Sequence, residues 1–249
     1  MQTKTIYQDN IYNGSLILVN KDYPVHSSYH AHIVSMDNDT NHQIEKRVNK
    51  LIQQCFQHLN IQDDIQVVRA FRSFNEQKLY HQTLQINGKD DTQKYEALPL
   101  CSEHETGLAI DLALKQENID DICSKFTYTK ISQKFRELCY DYGFIERYQE
   151  HKQDITNITK DSTHFRYVGF PHSLIMKEHD MCLEEYHDFL KQFSICQPYT
   201  YVVNQRVFDI FYVPITNEET SISLRSDAIY QVSGNNQDGV IFTVWRRCL

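Results

Sequence analysis

The chain has no basic surplus: 25 lysines and arginines stand against 33 aspartates and glutamates, a net charge of -8. That argues against nucleic acid or an anionic membrane as a partner, because there is no excess cation to release counterions from a polyanion. There is no apolar run approaching the roughly 18 residues a membrane span needs. The start, MQTKTIYQDNIYNG, lacks a basic segment followed by an apolar one. The expectation is therefore a chain neither exported by a standard signal nor anchored. There is no C-x-x-C pair among the seven cysteines, and an odd, scattered set reads as reduced thiols of a cytoplasmic protein. Internal repeats and low-complexity tracts are missing too. What is there is an ordinary globular composition, 41% hydrophobic, with 16 tyrosines and 13 phenylalanines that place it outside the disordered class.

The periodicities divide the chain. Ile44, Val48, Leu51, Ile52, Cys55, Phe56 and Leu59 form one helical stripe, so residues 41–59 are expected to be a helix with Asn41 as its N-cap. IQVVRAF, 65–71, reads as a strand; NEQKLYHQTLQIN, 75–87, reads as a helix ended by Gly88. GLAIDLAL, 107–114, is a second strand, and Ile131, Phe135, Leu138, Cys139 and Tyr142 mark a helix that stops at Gly143. HFRYVGF, 164–170, alternates as a strand, and CLEEYHDFLKQF, 182–193, is an amphipathic helix. After Pro198 the chain breaks into short β-rich runs, YTYVV, RVFDIFYV, SISL, AIYQV and VIFTVW, separated by turn signals. These patterns predict an α+β domain over 1–197 and a small β-rich module over 198–249.

Chemistry concentrates in CSEHETGLAID, Cys101 to Asp111. In the strand that follows the glycine, Leu108, Ile110, Leu112 and Leu114 share one face, and Ala109, Asp111 and Ala113 share the other. A lone carboxylate in such a strand is costly to bury unless it is paired, hydrogen-bonded or bound to a cation. Zinc accepts histidine nitrogen and carboxylate oxygen, and a catalytic site needs three protein ligands and an open position. KDSTHFRYVG, 160–169, offers a third ligand in His164, with Asp161 three residues ahead as an acid able to handle a proton. With twelve histidines in the chain, spacing alone leaves two readings of His104, Asp111 and His164 open: metal ligands, or hydrogen-bonded structural side chains. A competing cluster, His26, His30 and His32 in HSSYHAH, has no patterned carboxylate beside it and reads as a surface or substrate-rim segment.

The order S-x-H-x-x-G-x-A-x-D, present as Ser102, His104, Gly107, Ala109 and Asp111 and followed by the histidine of HFRYVG, resembles the zinc D,D-peptidases of the VanX, VanY and VanXY group. LILVNKDYPV, FRSFNEQKLY and FPHSLIMKEH extend the resemblance over most of residues 15–195, and the last fifty residues look like an extension of some relatives. It implies a central antiparallel sheet flanked by helices, with His104, Asp111 and His164 as Zn²⁺ ligands. Asp161 falls where the family carries the general base that later protonates the leaving amine. Arg72 matches the arginine that polarises the scissile carbonyl and stabilises the oxyanion, a task suited to a fixed guanidinium. Ser102 and Gln77 match positions lining the substrate pocket; alone they read as a turn hydroxyl and a helix-surface amide.

The chain departs from the family where Glu-Pro-Trp-His becomes Asp161-Ser162-Thr163-His164. An aspartate sets its carboxylate back by about 1.5 Å, a displacement that costs on the order of 100-fold in rate on an unchanged backbone. Pro99-Leu100-Cys101 replaces the usual Pro-Gly-Thr, and Glu105 stands where glutamine is common. The resemblance implies hydrolysis of D-Ala-D-Ala, or of a peptidoglycan precursor ending in it, in the cytoplasm, as in glycopeptide (vancomycin) resistance. The departures motivate one rival, a catalytically impaired zinc module that binds peptides or a protein, as in the related hedgehog signalling domain; an endolysin-like endopeptidase cutting inside stem peptides is a separate alternative. Oligomeric state is not encoded in any pattern of the sequence.

Overall fold

A computed structural model describes residues 1–37, 39–86, 98–115 and 126–246. The expected helix stop at Gly88 lies outside the described residues. The architecture is α+β with antiparallel sheets, as expected. The chain opens with β1 (Gln2–Tyr7), followed by a hairpin of β2 (Ile33–Met36) and β3 (Asp39–Glu45), then α1 (Lys46–Leu59), β4 (Ile65–Arg69) and α2 (Phe74–Ile86). Next come β5 (Ala109–Leu114), α3 (Lys130–Leu138), β6 (Phe144–Tyr148), α4 (Gln153–Thr156), β7 (Asp161–Tyr167) and α5 (His172–Glu178). The remainder holds α6 (Leu183–Leu190), β8 (Tyr199–Val203), β9 (Arg206–Pro214), β10 (Glu219–Leu224), β11 (Ile229–Gly234) and β12 (Gly239–Arg246).

These elements group into two compact units, one of Val19–Val25 and Ala31–Cys182, the other of Met1–Leu18, His26–His30 and Leu183–Leu249. The sequence reading put a boundary at 197/198; the grouping instead gathers α6 and the first eighteen residues with the C-terminal strands. In the first unit a four-stranded antiparallel sheet runs β4-β5-β7-β6. The strand β5, read as half-cleared for a single carboxylate, is buried on both faces from Ala109 to Ala113. Helix α1 covers the core with Val48, Ile52, Cys55 and Phe56. Phe56, Phe126 and Phe165 all pack against Phe135, with ring centroids 4.9–5.8 Å apart.

The helix expected over 41–59 begins later, at Lys46. Residues 39–45 pair with β2, Ile44 opposite Val34, so Ile44 is buried by a strand partner and not by the helical stripe. The cap is correspondingly Glu45, whose carboxylate accepts from the N–H groups of Arg47 and Val48 at 2.7 and 3.2 Å, and not Asn41. The helix ending at Gly143 is observed as α3 plus a 3-10 turn, with Gly143 left-handed at φ 87°.

In the second unit all five expected C-terminal strands are present. Four of them form the sheet β11-β12-β9-β8, while β10 pairs antiparallel with β1, a strand the sequence reading did not anticipate. Phe211 and Phe242 lie opposite each other in register with rings stacked 5.1 Å apart. They join Ile6, Ile11, Val213, Leu224 and Val240 in one core. His187 of α6 is buried and donates through Nε2 to the Leu16 carbonyl at 2.7 Å.

Candidate metal centre

The centre is built from the two middle strands of the β4-β5-β7-β6 sheet and the turn that precedes β5. Asp111 on β5 lies directly opposite His164 on β7 and opposite Arg69 on β4, which sets the three in one row across the sheet. Residues directly opposite in a sheet project to the same face, so register alone brings Asp111 and His164 together. His104 arrives from the 3-10 turn Glu103–Thr106, which ends at Gly107 with φ 70°. A Cβ at Gly107 would sit 2.5 Å from Ile33 Cδ1 and 3.0 Å from the Glu45 nitrogen, so a glycine is required both for conformation and for space.

His164 Nδ1 is 2.9 Å from Asp111 Oδ1, and His104 Nε2 is 3.4 Å from the same oxygen. The imidazoles meet edge to face with centroids 5.0 Å apart. One donor atom from each of His104, Asp111 and His164 lies within 4.8 Å of the other two, and all three residues are buried. The remaining nitrogens are occupied: His104 Nδ1 donates to the Ala70 carbonyl at 2.8 Å, and His164 Nε2 is 3.1 Å from Glu103 Oε2. Arg69 Nη1 donates to Asp111 Oδ2 at 3.3 Å. Two imidazole nitrogens and one carboxylate oxygen, buried, with the outer nitrogen of each histidine hydrogen-bonded, fit Zn²⁺ with a position left open.

The electrostatics follow from burial and proximity. Burial raises the Asp111 carboxyl, but the charges and hydrogen bonds of His104 and His164 hold it well below the usual carboxylate range. Burial disfavours the His164 cation, yet Asp111 and Glu103 push its pKa up to about 9. His104 is lowered, first by burial and further by Arg72 and His164, against the pull of Asp111. Burial raises Glu105 to about 6, Arg72 opposing the shift.

The other expected site residues are placed as follows. Arg72 hydrogen-bonds through its backbone N–H to the His104 carbonyl at 3.2 Å. Its guanidinium lies 4.6 Å over the Tyr80 ring, and its buried Nε has no hydrogen-bond partner among the described residues. Ser102 is buried at the start of the turn, its N–H donating to Glu105 Oε2 at 3.4 Å. Gln77, read alone as a surface amide, is fully buried on α2. Asp161 opens β7 and is not among the clustered donors; its Oδ1 accepts from the Thr163 N–H at 2.8 Å and the Thr163 hydroxyl at 2.7 Å. The β6–β7 pairing shifts register between Glu146 and Tyr148, whose partners on β7 are Phe165 and Asp161. His26 stacks on Tyr12 at 3.7 Å, and among the described residues His104, Asp111 and His164 are the donor cluster present.

Sequence reasoning missed Glu103 and the two arginines that hold it. Arg147 Nε donates to Glu103 Oε1 at 2.9 Å and Arg166 Nη1 is 3.0 Å from the same atom, with all three side chains 0–1% exposed. Burial raises the Glu103 carboxyl, and Arg147 and Arg166 more than reverse this. The available signal was an arginine inside each of two apolar strands, IERY and HFRYV, since a buried guanidinium needs an anion.

An α+β fold that brings His104 from a turn together with Asp111 and His164 on two central strands has the buried donor set of a zinc metallopeptidase. Residues 38–170 match the family model described as VanY, D-alanyl-D-alanine carboxypeptidase. The chain belongs to this D,D-peptidase family. It is 38% identical over 183 residues to the bifunctional D-Ala-D-Ala dipeptidase and carboxypeptidase VanXYC of Enterococcus gallinarum, which spans 72% of this chain and 96% of that relative. The solved structure of the vancomycin-resistance D,D-dipeptidase VanXYg with a D-Ala-D-Ala phosphinate analogue superposes at TM-score 0.94 and 40% identity, over 98% of this chain and 99% of that one. A mutant of the D,D-pentapeptidase VanY from a VanB-type cassette, in complex with Zn(II), matches at TM-score 0.59 and 26% identity, over 70% of this chain and 98% of that one.

Proposed function

We propose that this enzyme cleaves the D-Ala-D-Ala bond, as the free dipeptide or at the end of a peptidoglycan-precursor peptide, and so contributes to glycopeptide resistance. The observation that carries the reading is the buried His104, Asp111 and His164 cluster, whose donors suit a zinc with a position open to water and substrate. Zinc, when bound, supplies Lewis acidity for the scissile carbonyl and lowers the pKa of water. Asp161 takes the proton of the attacking water and returns it to the amine of the departing D-alanine. Arg72 donates to the carbonyl oxygen as it gains charge; its buried Nε, which has no partner among the described residues and lies beside His104, supports this assignment. Ser102 and Gln77 line the substrate pocket, a role consistent with their burial. The five described cysteines form no disulfide, which supports a cytoplasmic site of action on soluble precursors. No helix of the described residues is long and apolar enough to cross a membrane.

One observation favours a second reading. Both of Thr163's donors bind Asp161 Oδ1, and a base held this way, one methylene shorter than glutamate, suits a zinc-containing peptide-binding module of impaired activity. D-Alanine release from D-Ala-D-Ala and from UDP-MurNAc-pentapeptide, with a chelated control and Asp161→Ala, decides between them. Turnover lost on chelation and lowered about 10²–10⁴-fold in Asp161→Ala supports the peptidase. Zinc binding without turnover of either substrate supports the binding module.

A further inference from the structure

We infer that Glu103 is a positioning residue of the zinc centre: it fixes which nitrogen of His164 carries the proton, and Arg147 and Arg166 fix Glu103. This rests on the zinc-peptidase reading above and deepens it. A neutral imidazole has one donor nitrogen and one acceptor nitrogen, and only the acceptor can ligate a metal. His164 turns Nδ1 toward Asp111 Oδ1 at 2.9 Å, on the side where the donors converge, and Nε2 toward Glu103 Oε2 at 3.1 Å. An ionised carboxylate accepts hydrogen bonds and donates none, so Nε2 must keep its proton and Nδ1 is left with the lone pair.

Glu103 itself cannot turn away. Its other oxygen, Oε1, faces the guanidiniums of Arg147 at 2.9 Å and Arg166 at 3.0 Å, and those groups only donate. The glutamate side chain is fully buried, which removes competing water. Arg147 comes from β6 and Arg166 from β7, the strand that carries His164. The carboxylate is thus held by the same sheet that sets the histidine, and ring orientation and tautomer are determined together. His104 is served differently, by the backbone carbonyl of Ala70, which no side-chain substitution can remove.

The discriminating variant is Glu103→Gln, close to isosteric. Its amide oxygen stays with the two guanidiniums, so its NH₂ faces His164 Nε2. Nε2 must then accept, which puts the proton on Nδ1. The zinc dissociation constant, read by competition with a chromophoric chelator on protein whose near-UV circular dichroism is unchanged, should rise about 10- to 100-fold. Independently, long-range ¹H–¹⁵N correlation spectra of the zinc-loaded wild-type protein should show His164 protonated at Nε2 and bare at Nδ1. A folded Glu103→Gln protein with wild-type zinc affinity overturns the inference, and so does a wild-type spectrum with the proton on Nδ1. Should Glu103→Gln fail to fold, the wild-type spectrum decides alone. A wild-type chain that binds no zinc overturns this inference and the peptidase reading together; one that binds zinc and releases D-alanine with the proton on Nδ1 overturns only this one.

Discussion

An arginine with a buried Nε and no acceptor among the described residues is an incomplete arrangement, and Arg72 is one, stacked over Tyr80 beside His104. Leaving a buried donor unpaired costs about 1–3 kcal/mol, a cost that is recovered if the partner arrives with the substrate. The planar fork matters here more than the charge, because a lysine ammonium is a point donor on a flexible stem. Arg72→Lys is therefore expected to lower kcat on D-Ala-D-Ala by about 10²–10³-fold with the zinc content per chain unchanged. Steady-state kinetics paired with metal analysis checks this, and a kcat within a few-fold of wild type would remove Arg72 from the transition state. At this scale the sequence was most legible where a motif gives residue type and spacing together, as for His104, Asp111 and His164. Glu103 was illegible because its meaning depends on Arg147 and Arg166, far along the chain, and a carboxylate in a turn reads as solvated until its partners are known.

Elements position these groups, and one glycine joins two of them. Gly107 ends the turn carrying His104, starts the approach to the strand carrying Asp111, and lies against Ile33 and Glu45 of the β2–β3 hairpin. In Gly107→Ala the left-handed backbone costs about 1–2 kcal/mol, and the close contacts add to it. The unfolding midpoint should fall by at least about 2–8 °C, with weakened zinc binding because both histidine-bearing and aspartate-bearing segments must shift. Thermal unfolding with parallel metal analysis reads both; an unchanged midpoint would mean the turn relaxes freely. The hairpin also explains the misplaced helix start. Helical periodicity carries through Ile44, so the pattern could not report that residues 39–45 are claimed by pairing with β2. Glu45→Ala, which removes the observed cap of α1, should cost about 1 kcal/mol in denaturant unfolding, whereas Asn41→Ala should cost little of it through this helix.

For the whole molecule, local periodicity found all five C-terminal strands but not their first partner. The pairing of β1 with β10 joins the two ends of the sequence, and nothing within a short window encodes a contact so distant. Thiol chemistry gives one global check. Burial, with help from Asp141, pushes the Cys55 thiol up to about 12, and burial raises Cys139 well above its ordinary value, while Cys196 is exposed. Because only the thiolate reacts, native alkylation near neutral pH followed by peptide mass spectrometry should label Cys196 first and Cys55 and Cys139 only after unfolding. The stronger check is the metal. The three donors come from a turn and two strands whose proximity exists only when the sheet has formed, so the unfolded chain offers zinc no equivalent site. A ligand bound only by the native state stabilises it by RT ln(1 + [L]/Kd), about 2.7 kcal/mol at a hundredfold excess over Kd. The unfolding midpoint should therefore climb with the logarithm of free zinc, fall back on chelation, and lose this dependence in His104→Ala. Calorimetry across a zinc-buffered series measures it, and a wild-type midpoint indifferent to zinc would return His104, Asp111 and His164 to the hydrogen-bonded structural reading that their spacing alone left open.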